Sequence, residues 1–443
     1  MANMLERAVP RYTSYPTAPN FSPAVDANVF GKWLAALPAD ATLSLYLHVP
    51  FCRELCHYCG CHTKATLRDE PIEAYAQRLV EEIALIAARA GRRKVTHIHW
   101  GGGTPSILDG ELLNFITDEL AHRFDLSAMR EHAIELDPRY VTRPLTGALR
   151  DIGVNRASLG VQDFSAHVQA AAGRVQPFET VKAAVDLLNE FGIDRINIDL
   201  MYGLPKQTVD DVKRTVALAH SLQPQRVAVF GYAHVPWFRP QQRLIADADL
   251  PTSPDRLAQA EAAHATLVQF GYRAVGLDHY AKADDLLVAQ GGRVLRNFQG
   301  YTDDDADALV GLGASAISRL PQGFAQNAPA VGNYSRAIAD GKLATAKGIA
   351  LSADDRLRGH IIERLMCDMA VDLDAAPGEV GVDNTADFSG ELASLQPFQD
   401  NGSVQIDGHR IRITEKGRPY MRLVAATFDT YLGQAKSRHS VAV

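Results

Sequence analysis

Two periodicities alternate along the middle of the chain. Short runs rich in β-formers recur at residues 44–51 (SLYLHVPF), 95–100 (VTHIHW), 133–138 (AIELDP), 156–161 (RASLGV), 196–203 (INIDLMYG), 226–232 (RVAVFGY) and 272–279 (YRAVGLDH). Between them lie stretches with helical spacing of apolar residues, among them 71–90, 111–124, 178–192 and 253–272. Strands separated by helices of that length predict βαβ units around a parallel sheet, an α/β fold. Seven candidate strands approach the eight of a full (β/α) barrel, so the expected architecture is a partial or near-complete parallel barrel.

The pattern changes at both ends. Residues 1–40 begin turn-rich, with Pro10, Pro16, Pro19 and Pro23, and predict an N-terminal arm followed by a short helix. The barrel is expected over 41–285, with a barrel extension and substrate-pocket segment over 286–350. Over 351–443 the alternation stops. A helix at 351–369, a hairpin at 402–414 turning at Asp407-Gly408 and a last helix at 418–435 predict a smaller, mostly α C-terminal domain with a winged-helix look. That tail has no run of Lys and Arg, so it reads as a packing or lid domain.

Composition narrows the class. The chain has 443 residues, 47% hydrophobic and 22% charged, which excludes wholesale disorder and suits a globular enzyme with a large core. A net charge of −7 argues against a general nucleic-acid binder. No stretch has the apolar length of a membrane span, and the N-terminus has no secretory h-region, so no membrane partner and a cytoplasmic location are expected.

Four of the five cysteines fall within ten residues: Cys52, Cys56, Cys59 and Cys61. This clustering points to a metal or cluster site in a reducing compartment rather than a disulfide framework. Cys52, Cys56 and Cys59 form C-x3-C-x2-C. Three thiolates can hold three irons of a [4Fe-4S] cluster and leave the fourth open to a small molecule. Zinc competes, but structural zinc takes four ligands, usually as two separated pairs, and Cys61, His57 or His62 would complete such a site only in a cramped loop. Cys367 stands alone on a predicted helix and reads as core filler. Ligands in parallel β/α folds bind at the carboxyl ends of the strands. Those ends carry the cysteine loop, then Gly101-Gly102-Gly103-Thr104-Pro105, Glu135 and Asp137, Gln162 and Asp163, Asp199, Tyr232-Ala233-His234, and Asp278-His279. One shared cavity is expected there.

The cysteine spacing after a first barrel strand, with GGGTP one strand later, resembles the radical S-adenosylmethionine (SAM) superfamily. RYTSYPT at 11–17, LYLHVPFC at 45–52, HWGGGTP, IELDPR, GVQDF, NIDLMYGLPKQT, NFQGYT at 297–302 and GASAIS at 313–318 occur in that order. Together they resemble the oxygen-independent coproporphyrinogen III oxidase (coproporphyrinogen dehydrogenase) family of haem synthesis, over almost the whole chain.

The resemblance implies one [4Fe-4S] cluster held by Cys52, Cys56 and Cys59, with Cys61 a non-ligand, and two molecules of SAM; by residue type alone Cys61 reads as a buried small residue. By motif match Tyr46, Tyr58, Gly102, Gly103, Thr104, Glu135, Gln162, Arg174, Asp199, Ala233 and Ile317 bind cofactor; no catalytic residue is implied beyond the cluster and SAM. Arg174 departs from the expected pattern, because Gly173 precedes it where an Asn is expected. The implied reaction is oxidative decarboxylation of two propionates of coproporphyrinogen III to vinyl groups, giving protoporphyrinogen IX. A donor such as a flavodoxin or ferredoxin and an electron acceptor are implied partners, and the chain is expected to be a monomer. Arg11, Lys206, Arg243 and Arg296 are candidates to bind the substrate's carboxylates. The N-terminal arm is expected to close over the pocket. A haem-binding chaperone of the same fold and a radical SAM haem-degrading methyltransferase are the alternatives; the RYTSYP arm, Cys61 and NFQGYT favour the oxidase. A zinc-stapled regulator with a winged-helix tail is the non-enzyme alternative.

Overall fold

The computed structural model of the chain describes residues 7–289, 293–383 and 386–433. The apolar runs form strands β1 (Thr42–Val49), β2 (Lys94–Gly102), β3 (Glu131–Leu136), β4 (Arg156–Gln162), β5 (Arg195–Tyr202) and β6 (Arg226–Gly231), adjacent in that order and mutually parallel. The long crossovers are helices α1 (Glu70–Ala90), α2 (Gly110–Arg123), α3 (Phe178–Glu190) and α4 (Val209–Ser221), with α5 (Ser253–Gln269) after β6. Local chemistry starts them in register. Asp109 caps α2, and Thr208 with Asp211 and Thr252 with Asp255 form reciprocal capping boxes on α4 and α5, each cap contributing about 1 kcal/mol. The apolar faces of these helices and strands bury one core centred on Leu43, Leu45, Leu47, Ile98, Trp100, Ile134, Leu159 and Ile198.

The seventh predicted run does not extend the parallel barrel. It splits into β7 (Arg273–Val275) and β8 (His279–Ala281), which pair antiparallel with each other, and β8 runs antiparallel to β6. Gly276 is the cause: it sits at φ +55°, and a Cβ there would lie 2.0 Å from the Tyr301 ring. A glycine in the left-handed region at that close approach reverses the chain. The seventh parallel strand is instead β9 (Ala308–Leu312), on the other side of β1, within the stretch expected only as a barrel extension. Antiparallel strands β10 (Ile317–Leu320), β11 (Gly323–Asn327) and β12 (Thr345–Ala350) continue from it. The result is an open twelve-stranded sheet, parallel in its centre and antiparallel at both edges.

Beyond the sheet, α6 (Ala353–Asp368) follows a Ser352–Asp355 capping box. The 404–413 hairpin forms at Gly408, φ +57°, and Ala370–Asp372 adds a third strand to it. The last predicted helix is shorter than its pattern: a 3-10 turn over Glu415–Tyr420 contains Pro419, and only Met421–Ala426 is α-helical. Gln434 and Ala435 of that prediction lie outside the described residues. The short helix near the N-terminus is Ala27–Ala35, capped by Asp26. The arm before it is a fold element in its own right. Val9, Tyr12 and Tyr15 are buried in the core of the C-terminal unit, Tyr12 donates to Asp429 (3.0 Å), and the Tyr15 and Thr430 hydroxyls are 3.0 Å apart.

Candidate active site

Side chains on a strand alternate between faces. In β3 one set is Glu131, Ala133 and Glu135, continuing to Asp137; in β4 it is Arg156, Ser158, Gly160 and Gln162; in β5, Asn197, Asp199 and Met201. All of these line a single cavity of about 630 Å³ at the concave centre of the sheet. The alternate set, such as Ile134, Leu159 and Ile198, packs outward beneath the helices. The cavity floor is charged and largely satisfied: Arg156 bonds Glu131 at 2.7 Å, and Arg226 bonds Asp285 at 2.9 Å. Sequence reasoning passed over these floor residues. The signal was present as every second residue of a β-run being polar, a pattern hidden by the apolar positions between.

Twelve of the fourteen predicted cofactor and metal residues line this cavity: Cys52, Cys56, Cys59, Tyr58, Gly102, Gly103, Thr104, Glu135, Gln162, Arg174, Asp199 and Ala233. Tyr46 and Ile317 do not. Tyr46 is buried behind the wall, its ring 4.6 Å from Phe298 and its hydroxyl 3.0 Å from His48. Ile317 sits half-buried on β10. Among the candidate substrate cations, Arg11 lines the cavity and Arg296 lies buried just behind it, whereas Arg243 is exposed and Lys206 faces Asp249 at 3.7 Å in a half-exposed pair.

The cysteine loop leaves β1 and is gripped by backbone contacts. His57 N–H donates to Ala172 O, Gln242 donates to Tyr58 O, and Gln241 to Cys59 O. Gly173 explains the departure noted before Arg174: it ends the 166–172 helix at φ +65°, and a Cβ there would lie 2.6 Å from the His57 ring. The Gly-Gly-Gly turn is packed beneath the same loop. Gly103 N–H donates to Val49 O, and a Cβ on Gly103 would fall 2.5 Å from Phe51 O. At Gly102, φ +114°, a Cβ would lie 2.6 Å from the His48 ring. These glycines therefore let two ligand-bearing loops meet edge to edge.

All five cysteines are free thiols. The Thr104 hydroxyl donates to Cys52 Sγ at 3.3 Å, and the Thr63 hydroxyl is 3.3 Å from the same sulfur. Burial raises the Cys52 thiol, while the hydrogen bond from Cys61 pulls Cys59 down to about 7. Cys61 is exposed and lines the cavity, which corrects its reading as a buried small residue; Cys367 is buried beside Tyr301, as core filler should be. Among the described residues no three or more His, Cys, Asp or Glu side chains converge closely enough to hold a single metal ion. Tetrahedral zinc needs that convergence. A four-iron cluster takes one thiolate per iron, so thiols spread along one cavity wall suit it.

Arg174 sits on the cavity wall. It is nine-tenths buried, with Nη1 donating to Asp137 at 3.1 Å and reaching Cys56 Sγ at 3.5 Å, and Nη2 donating to Gly160 O at 2.7 Å. Burial opposes its charge, but Tyr58, Asp137 and Cys56 hold its pKa above the usual range. Glu135 accepts from Gly102 N–H at 3.1 Å. Asp199 is held by Ser158 (3.0 Å) and Asn197 (2.8 Å), and burial pushes its carboxyl up to about 6.

A C-x3-C-x2-C loop at the end of the first parallel strand, facing a glycine turn and strand-end carboxylates across one cavity, defines a radical SAM protein, and the sequence profile of the Radical SAM superfamily matches residues 46–219. Such proteins use a [4Fe-4S] cluster and SAM as cofactors. The HemN C-terminal domain profile matches residues 351–420. An oxygen-independent coproporphyrinogen III oxidase of Bradyrhizobium diazoefficiens is 49% identical over 99% of this chain and 98% of its own length. The enzyme of the same name from Escherichia coli K12 is 41% identical over 96% and 93%. The solved structure of coproporphyrinogen III oxidase (HemN) from Escherichia coli superposes with a TM-score of 0.90 at 36% identity, covering 96% of this chain and all of that one. The chain belongs to the oxygen-independent coproporphyrinogen III oxidase family. Among the described residues no helix is long and apolar enough to cross a membrane.

Proposed function

We propose that this chain converts coproporphyrinogen III to protoporphyrinogen IX by oxidative decarboxylation of two propionates, with Cys52, Cys56 and Cys59 as cluster ligands and two molecules of SAM bound. The observation that carries the reading is full-length similarity to enzymes of that name, joined to three thiols on the wall of one strand-end cavity. When bound, the cluster and SAM supply a reducing electron and a hydrogen-abstracting radical, so that each propionate loses a β-hydrogen atom, carbon dioxide and one electron to an acceptor. The chain's own residues position and exclude. Arg174 sets a buried positive charge beside Cys56. Glu135 and Asp199 face the cavity as acceptors for amine or hydroxyl groups of SAM. The apolar positions Ala133, Leu136, Met201 and Phe230 give the same cavity dry wall.

The same reading makes the chain a cytoplasmic monomer, reduced by a flavodoxin or ferredoxin, with no nucleic-acid or membrane partner. The haem-chaperone and haem-degrading alternatives lack support from relatives that match the full chain by name. The test is anaerobic turnover of the reconstituted protein with reductant, SAM and coproporphyrinogen III, read by mass spectrometry. Loss of two carboxylate-plus-hydrogen units, with 5′-deoxyadenosine and methionine formed, is expected. Unchanged coproporphyrinogen beside an intact cluster refutes the reading.

A further inference from the structure

A second cavity, of about 250 Å³, lies behind the first, walled by β6, α5, the N-terminal arm and the 415–422 segment. Arg11 and Tyr232 line both cavities, so the two abut at the arm. Six cationic side chains, Arg11, Arg256, Arg296, Lys416, Arg418 and Arg422, face three carboxylates there, Glu261, Asp278 and Glu415.

The way these guanidinium groups are held matters. Arg11 donates to Gly231 O (2.6 Å), Arg256 to Tyr232 O (2.8 Å), and Arg422 to Pro10 O (3.0 Å) and Val9 O. Backbone carbonyls orient a guanidinium without cancelling its charge. Glu415 pairs with Arg418 at 2.9 Å. Asp278 sits 3.9 Å from Arg296 Nη1, beyond hydrogen-bond reach, and lies 2.8 Å from His279 Nδ1, with which it is hydrogen-bonded. Arg296 itself is 7% exposed and stacked 4.3 Å above the Tyr301 ring. Its Nη2 donates to Arg11 O, but its Nε and Nη1 are buried without a hydrogen-bond partner. Two idle donors on a buried guanidinium are costly unless something accepts from them. Burial and the neighbouring Arg11 and Arg296 push Arg422 down to about 10, as expected where cations crowd one another.

We infer that this arginine-lined cavity is a carboxylate subsite, in which Arg296 and Arg256 hold a non-reacting propionate of the substrate. The inference rests on the reading of the chain as a coproporphyrinogen decarboxylase. The cavity is too small for a tetrapyrrole but suits one acid arm of a macrocycle seated in the larger cavity next door. A fork-shaped donor that cannot lose its charge matches a carboxylate in geometry as well as sign. The arrangement also ties substrate binding to the arm, because Arg11 lines the cavity and the carbonyls of Val9 and Pro10 hold Arg422 in its wall.

The test is equilibrium binding of coproporphyrin III, the stable oxidised form of the substrate, to the cluster-loaded enzyme with SAM, followed by porphyrin fluorescence. Arg296→Gln is expected to weaken binding roughly thirtyfold or more, as for loss of one partner of a buried charge pair. Arg296→Lys should recover part of that loss. Binding of the tetramethyl ester, which has no carboxylate, should be the same for wild type and Arg296→Gln. Unchanged affinity for coproporphyrin III, or equal weakening for acid and ester, overturns the inference. Should Arg296→Gln lose its cluster absorbance, Arg256→Gln is read in its place by the same criteria. A wild type that binds coproporphyrin III through Arg296 yet releases no carbon dioxide would sink the decarboxylase reading and leave the subsite standing. A wild type that does not bind the porphyrin sinks both.

Discussion

Glu82 offers a sharp test of how the sheet is tied together beside the active site. It lies on α1, is 1% exposed, and accepts three hydrogen bonds: from Gly313 N–H (2.6 Å), Asn327 Nδ2 (2.6 Å) and the Tyr334 hydroxyl (2.8 Å). Together with Tyr75, whose hydroxyl donates to His48 O and accepts from Ala314 N–H, it pins the turn between β9 and β10 to the end of β1. Burial nevertheless raises its carboxyl from the usual range to about 7. The folded chain therefore holds this proton more tightly than the unfolded chain, whose carboxyl titrates near the ordinary value. The stability this gives is complete below the unfolded pKa and is lost as pH rises through about 7. Over pH 5 to 8 the loss comes to roughly 2 to 3 kcal/mol. Glu82→Gln removes the titration and leaves at least one donor facing an amide N–H, costing about 1–3 kcal/mol at any pH. Urea unfolding of wild type and variant across pH 5–8, under anaerobic conditions, reads both effects. The wild-type advantage should be largest at pH 5 and shrink toward pH 8. A difference independent of pH would refute the raised carboxyl.

The remaining expectations concern the cluster and the arm. Cys52→Ser, Cys56→Ser and Cys59→Ser should each abolish bound iron and sulfide after reconstitution, whereas Cys61→Ser and Cys367→Ser should retain both; iron and sulfide analysis decides. Deleting the residues before Phe21 should abolish turnover with the cluster retained, and should also open the C-terminal unit, because Val9, Tyr12 and Tyr15 leave its core. Limited proteolysis would show that opening as new cleavage after residue 351, and an uncut tail would argue against it.

Much of the site was legible because its chemistry sits at strand ends, where a βα pattern and a polar residue can be read together. The three cysteines, the glycine turn, Glu135, Gln162 and Asp199 were found that way and share one cavity. The cavity floor was not, since Glu131, Arg156 and Arg226 are the first residues of β3, β4 and β6, at the amino ends of the strands rather than the carboxyl ends where ligand contacts are sought. The seventh run misled because its reversal depends on Tyr301 packing against Gly276, a contact between residues 25 apart in the chain. β9 escaped notice for the opposite reason: no helix follows it, only a tight turn into an antiparallel strand. The arginine cluster behind the arm is likewise a product of the tertiary fold. Residues 11, 256, 296 and 418 come from four separate segments, and nothing local marks them as neighbours.

The neighbours of the cysteine loop bond to its peptide groups at residues 57, 58, 59 and 60, with the His57 ring adding one side-chain contact to Ala171 O. Its path is thus encoded in the surroundings more than in the loop. An exposed position between the thiols, Glu54, can therefore change its charge while the sulfurs stay put, so the electronic setting of the cofactor can be tuned there without rebuilding the scaffold that aims it.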